Sequence, residues 1–398
     1  MLLLRSPVVG IGELMWTRLV TIDDRGRAPL EGLAVGLVAM RFRRRDEGAS
    51  VRLGGLGRWG LASQEGVLGM ERLERESWRL DVASALGWRT EAEVAVDVVF
   101  PAEMERPPVL LFCLPGGYLS RRYFDPGDPE DPTERSFSFA DYMARRGFVV
   151  AMADTLGCGD STRPSESAGY QVDVDKLTTA NHAAWLEVVA RIGARTRQGV
   201  LSVGVGHSMG SALTVALQAN HRPFAALVLQ SFSTTGLPRF LQGDEERYAD
   251  DPAAARSALA ELVRRRFGTP YPGQAKEGEP GQSAAFSVGT APPLAEALLQ
   301  RSATNLVAMA GLLTMIPGGY VPYAEAVEVP VFVNYGDHDL GRANNAAPTL
   351  PNAPEVLAYT LADSWHCHNV ANTRVVLWER TLRWLQAVLP TLTPSPDR

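Results

Sequence analysis

The segment Gly206-His207-Ser208-Met209-Gly210 sets a serine between two glycines. A run of small apolar residues, 203–205, enters it, and a helix-compatible stretch, 212–218, leaves it. A G-x-S-x-G sequence in a strand-to-helix turn holds the serine at strained, positive φ with its hydroxyl projecting above the sheet. The flanking glycines carry no Cβ, so strand and helix can approach closely. The plain alternative is a glycine-bounded turn that happens to contain a serine. A serine hydroxyl becomes a nucleophile only when a base takes its proton and a carboxylate orients that base. Two later segments offer both partners. Residues 329–335 read as a buried strand followed by Gly336-Asp337-His338-Asp339, and 356–361 read as a short strand followed by Asp363-Ser364-Trp365-His366-Cys367-His368. Asp337 and Asp339 are thus the candidate acids, and His366 and His368 the candidate bases. Each lies just beyond the C-terminal end of an expected strand. In a parallel sheet those ends share one edge, where residues distant in sequence converge. The chemistry would be acyl transfer through Ser208.

The elements required to position these groups follow from periodicity. Residues 78–82 and 93–100 alternate as half-buried strands, and Pro101 ends the second. Residues 109–114 and 149–153 are continuous apolar strands, as a sheet covered on both faces requires. Helices are expected over 138–146, with Ser138 as N-cap, and over 174–197. A further strand is expected at 225–229. Strand and helix alternate, the signature of an α/β fold. The alternation stops from about Phe232 to Tyr323, where helical stretches at 253–266 and 294–313 flank a Gly- and Pro-rich segment, 268–289.

With these residues in place, the chain resembles the α/β-hydrolase-fold superfamily, its serine esterase and lipase-like members with a cap, from roughly residue 78 onward. The elbow matches that family's G-x-S-x-G. Asp154-Thr155-Leu156-Gly157-Cys158-Gly159-Asp160-Ser161 matches its D-x-x-G-x-G-x-S loop after the fourth strand. Leu114-Pro115-Gly116-Gly117 stands where many members carry His-Gly, with Pro115 as a departure that bears on the oxyanion donor. The resemblance implies a mostly parallel eight-stranded sheet with helices on both faces. It implies a core over 78–231 and 324–398, a helical cap over 232–323 and an N-terminal extension over 1–77. The resemblance also favours Asp339 as the acid, three residues after the glycine that ends the seventh strand, and His366 as the base. Asp337 and His368 stay as alternates. The oxyanion donors it implies are the main-chain N–H groups of Met209, at the start of a helix, and of Gly117. Within the cap, Met309, Leu312, Leu313, Met315 and Ile316 are more apolar than a bare surface helix needs; ordinary core packing explains them as well.

Composition narrows the class. A formal charge of −6 gives no electrostatic reason to expect nucleic acid or an anionic membrane as partner. The basic cluster Arg41, Arg43, Arg44 and Arg45 reads as a solvated turn. Cys113, Cys158 and Cys367 form no disulfide framework and no zinc spacing. No nucleotide fingerprint is present, so no cofactor or metal is expected. The apolar start, Met1-Leu2-Leu3-Leu4, is too short for a signal-peptide core, which points to a cytoplasmic protein without stable membrane insertion. Arg121 and Arg122 are expected to pair at the surface with Asp125 or Asp128 rather than to bind a substrate carboxylate. His182 and His221 are expected to be structural or exposed, and His207 to pack beside the nucleophile. Of His366 and His368, the one that does not face the serine is expected on a solvent-facing loop.

Two functions compete. The first is hydrolysis of a small carboxylic ester through an acyl-enzyme; thioesterase, amidase, peptidase, C–C hydrolase and acyltransferase activities use the same residues. The second is a non-catalytic ligand-binding protein on the same fold.

Overall fold

The computed structural model describes residues 73–104, 107–273, 290–340 and 350–392. The arginine cluster at 41–45, residues 1–72 of the expected extension and most of the Gly- and Pro-rich segment lie outside the described residues. The strands are β1 (Glu74–Asp81), β2 (Glu93–Phe100), β3 (Val109–Leu114), β4 (Val149–Ala153), β5 (Leu201–His207), β6 (Ala226–Gln230), β7 (Val331–Gly336) and β8 (Val356–Leu361). They form one eight-stranded sheet in the order β1-β2-β4-β3-β5-β6-β7-β8. β1 and β2 run antiparallel, and the strands from β4 to β8 are parallel to one another. β1 begins four residues earlier than the alternation from Trp78 suggests.

The continuous apolar runs are explained by helices on both faces. Along β3, Leu110, Phe112 and Leu114 join a core with Leu177 and Val188 of α3 (Val174–Thr196) and Leu213 of α4 (Met209–His221). Val109, Leu111 and Cys113 join a second core with Phe139 and Met143 of α1 (Phe139–Ala144) and Leu377 and Trp378 of α9 (Arg374–Val388). A period of two sends neighbouring side chains to opposite faces, so both sets must be apolar. Burying each such side chain stabilises the fold by roughly 1.5–3 kcal/mol. Ser138 caps α1 by accepting the Asp141 N–H at 2.8 Å. A short α2 (Glu166–Gly169) precedes α3.

Between β6 and β7 lie α5 (Pro252–Phe267), α6 (Pro293–Arg301), α7 (Ala308–Met315) and α8 (Val321–Glu325). Asp251 accepts the Ala254 N–H at 2.9 Å to start α5, and Gly268 ends it in the left-handed region at φ 68°. Leu259, Leu262, Leu312 and Leu313 join the same core as α3 and α4. The single helical stretch expected over 294–313 is instead two helices. Ser302 ends the first of them in the αR region, and residues 303–307 leave the helix, with Ala303 forming an antiparallel bridge to Leu119 in the loop after β3. Ser120 donates to the Ser302 carbonyl at 2.7 Å and Thr304 to the Tyr118 carbonyl at 2.8 Å. Among the described residues, no helix is long and apolar enough to cross a membrane.

Candidate active site

Ser208 links β5 to α4 at φ 53°, ψ −120°, a region that non-glycine residues rarely adopt. The surroundings over-determine it. Its N–H donates to the Gln230 carbonyl at 2.8 Å, and Ser211 Oγ donates to the same oxygen at 2.8 Å. A Cβ at Gly206 would lie 2.4 Å from Ser211 Cα, and one at Gly210 would lie 2.1 Å from the Leu114 carbonyl oxygen. Only glycine fits at either position.

The chain brings Asp339, His366 and His368 into one buried cluster. Asp339 Oδ1 faces His366 Nδ1 at 2.6 Å, and Oδ2 faces His368 Nε2 at 2.9 Å. A carboxylate accepts, so both of these ring nitrogens donate. Ser231 Oγ also donates to Oδ2, and the Leu340 N–H donates to Oδ1 at 2.6 Å. Burial pushes the Asp339 carboxyl up, but the charge and hydrogen bonds of His366, with the bonds from His368, hold it well below the usual carboxylate range. Asp337 lies apart. It accepts the Asp363 and Ser364 N–H groups at 2.8 and 2.9 Å and so ties the loop after β7 to the loop after β8. His338 is exposed and stacks on Trp365. His368 is fully buried, which corrects the expectation of a solvent-facing second histidine; Asp339 draws both imidazoles inward.

The loop carrying these histidines is fastened to the elbow. His207 donates from Nε2 to the His366 carbonyl at 2.9 Å and packs on Tyr123 at 4.4 Å between ring centres. Burial, followed by the neighbouring His366, pushes His207 well below the ordinary histidine range, so it stays neutral. Asn369 accepts from Trp378 Nε1 at 2.9 Å and exchanges longer bonds with Gln230 at the end of β6. Cys367 is buried, and burial pushes its thiol up, so it is not a competing nucleophile.

The loop after β3 forms the opposite wall. A Cβ at Gly116 would lie 3.1 Å from Ser208 Cβ, and one at Gly117 would lie 4.0 Å from Met209 Cβ. Gly117 therefore faces the first turn of α4, where main-chain N–H groups lack intrahelical acceptors. Leu306 lies over Gly117, 2.7 Å from that Cβ position. Arg121 fastens the loop from below. Its guanidinium donates to Asp154 at 2.5 Å, Asp97 at 2.7 Å and Asp160 at 2.8 Å, and its N–H donates to Asp154 at 2.6 Å. This corrects the expected surface pairing with Asp125 or Asp128: the buried Asp154 of the D-x-x-G-x-G-x-S loop needs a counter-charge, and Arg121 supplies it. Arg122, at the surface, pairs with Asp160.

Ser231 and Asn334 escape sequence reasoning, although each breaks an apolar strand pattern or ends one. A polar residue inside the run Val331-Phe332-Val333-Asn334-Tyr335 is the signal that points to a buried partner. A cavity of about 420 Å³ lies elsewhere, lined by Asp175, Lys176, Arg256, Leu313 and Tyr323, and it includes none of the expected site residues.

No curated protein matches the chain. Among solved structures, it resembles a highly thermostable carboxyl esterase from Bacillus coagulans crystallised with glycerol, with TM-score 0.52, 16% identity, and 79% of this chain and 98% of that one covered. It also resembles a peroxisomal α/β-hydrolase from Saccharomyces cerevisiae, with TM-score 0.50, 14% identity, and 82% and 92% covered. At such identities the likeness extends to the fold alone. A sequence model of the alpha/beta hydrolase family matches residues 110–377, more than half of the chain, and the protein belongs to that family.

Proposed function

We propose that the protein is a serine hydrolase that cleaves small-molecule carboxylic esters through an acyl-enzyme on Ser208. The observation that carries this reading is the buried 2.6 Å pair of His366 and Asp339, fastened through His207 to the elbow that holds Ser208 at φ 53°. His366 takes the Ser208 proton as Oγ attacks the ester carbonyl carbon. Asp339 holds the imidazole with Nδ1 protonated and stabilises its cationic form. The oxyanion accepts from the Met209 and Gly117 N–H groups; losing one such donor typically costs about 3–4 kcal/mol in the transition state. His366 returns the proton to the leaving alcohol. It then deprotonates a water molecule, which attacks the acyl carbon and releases the acid and Ser208. The segment 302–306 and the helices around it act as a cap, with Leu306 bounding the acyl pocket over Gly117.

The test is hydrolysis of p-nitrophenyl esters of several acyl lengths by the wild type and by Ser208→Ala. Turnover that disappears in Ser208→Ala supports the reading. No turnover of any ester by the wild type would replace it with ligand binding, and preference for a thioester or amide would change the bond cleaved but not the residues.

A further inference from the structure

Asp339 is shared between two imidazoles, and one nucleophile needs one base. The second imidazole, His368, has a different setting from the first. Its Nε2 meets Asp339 Oδ2 at 2.9 Å and lies 3.3 Å from Ser231 Oγ, while its Nδ1 meets the Asn334 side-chain amide at 3.1 Å. Both ring nitrogens are thus engaged by groups from β7 and from the segments just after β6 and β7, and the side chain has no exposed surface. With Oδ1 of Asn334 at His368, the Asn334 nitrogen is buried and meets no partner among the described residues. Turning that amide over sets its N–H on His368 Nδ1 as acceptor, while Nε2 donates to Asp339.

We propose that His368, together with Ser231, is a positioning residue that occupies Oδ2 of Asp339 and so presents Oδ1 to His366. This rests on the hydrolase reading above. A carboxylate rotates freely about its Cβ–Cγ bond unless both oxygens are held. Here Oδ2 is held by two side-chain donors and, at the longer distance of 3.3 Å, by the Gly336 N–H, and Ser231 itself is kept in the left-handed region at φ 59°. Hydrogen bonds to Oδ2 also withdraw part of the negative charge that the carboxylate offers to His366. Among the described residues, the titratable groups packed around the cluster include Asp339, His366, His207, Cys367, Tyr123 and Tyr335. Among them Asp339 alone bonds to His368, so removal of His368 acts on catalysis through that carboxylate.

The experiment compares wild type, His368→Leu, His368→Gln, Ser231→Ala and His366→Ala, with Ser208→Ala as the blank. Glutamine restores an N–H near the position of Nε2. Expected for His368→Leu is a roughly 10- to 100-fold fall in kcat, the scale of a misplaced catalytic group, with KM little changed. The acidic limb of its kcat/KM profile moves to higher pH, because Asp339 then offers more charge to the protonated imidazole. His368→Gln recovers most of the lost kcat and the wild-type limb. A readout independent of turnover is the low-field proton resonance of the His366 Nδ1–H, recorded in the Ser208→Ala background; it shifts with His368→Leu and returns with His368→Gln. If His368→Leu does not fold, Ser231→Ala is read in the same way. A folded His368→Gln as inactive as His366→Ala would make His368 the base and overturn the proposal. An unmoved resonance and unmoved limb in His368→Leu would overturn it as well. If the wild type hydrolyses no ester, the hydrolase reading fails on that blank, and the resonance still decides whether His368 sets Asp339.

Discussion

His207, in the turn that holds Ser208, donates to the main-chain carbonyl of His366, 159 residues later, at 2.9 Å. This bond ties the turn to the histidine loop, and the ring of Tyr123 packs on His207. His207→Phe keeps the ring packing and removes the donor, leaving the His366 carbonyl with the local His368 N–H at 3.1 Å. Loss of that one hydrogen bond is worth about 0.5–1.5 kcal/mol. Ester turnover should fall by up to roughly tenfold, since each 1.4 kcal/mol at the transition state is a factor of ten, and the melting temperature should drop. Unchanged kcat and melting temperature would show that the contact does not couple the two segments.

Two glycines in the site answer to different neighbours. A Cβ at Gly210 meets main-chain oxygen at 2.1 Å, and main chain cannot move aside. Gly210→Ala should destabilise the fold by about 3 kcal/mol or more, read from urea unfolding. A Cβ at Gly117 meets the tip of the Leu306 side chain, which can rotate. Gly117→Ala should fold, and should lose more activity on long-chain than on short-chain p-nitrophenyl esters as Leu306 is pushed into the acyl pocket. Equal losses at all chain lengths would remove Leu306 from the pocket wall.

Arg121 and Arg122 are adjacent but unequal. Arg121→Met leaves Asp154, which has no exposed surface, as an unpaired buried charge; removing one partner of such a pair typically costs about 3–5 kcal/mol. Arg122 is exposed and pairs with a half-exposed Asp160, so Arg122→Met should change stability by less than about 1 kcal/mol. Similar urea midpoints for the two variants would refute the assignment of Arg121 as the clasp between the loops after β3 and β4.

Stability should depend on pH through buried histidines. His182 stacks on His221 at 4.3 Å, and burial, with the neighbouring His221, pushes it down to about 4. Between pH 6.5 and about 4 the unfolded chain binds a proton there that the native chain does not. Stability is therefore intact above 6.5, is lost as pH falls through that window, and levels off below it. His207 is lowered too and acts with the same sign. His182→Gln should show a shallower fall in urea midpoint from about pH 7 to about pH 5; identical slopes for variant and wild type would exclude the stack as a contributor.

Local sequence determined the strands and the elbow. The expected bounds of β2, β3, β4 and β8 coincide with those observed, because each is set by a run of apolar residues ended by proline, glycine or a polar turn. The strain at Ser208 follows from Gly206 and Gly210, which lie within two residues of it. The insertion was read less well: residues 303–307 look helical locally, but backbone bonds from the loop after β3, at Ser302, Ala303 and Thr304, interrupt the helix there. Which aspartate meets an imidazole was equally beyond local reading, since Asp337 and Asp339 differ by two positions in one turn. Only the approach of the loop after β8, which gives its N–H groups to Asp337 and its imidazoles to Asp339, separates them. The same holds for Arg121. Its partners come from β2 and the loop after β4, and long-range electrostatics of this kind is decided by which loops meet at one edge of the sheet, not by spacing along the chain.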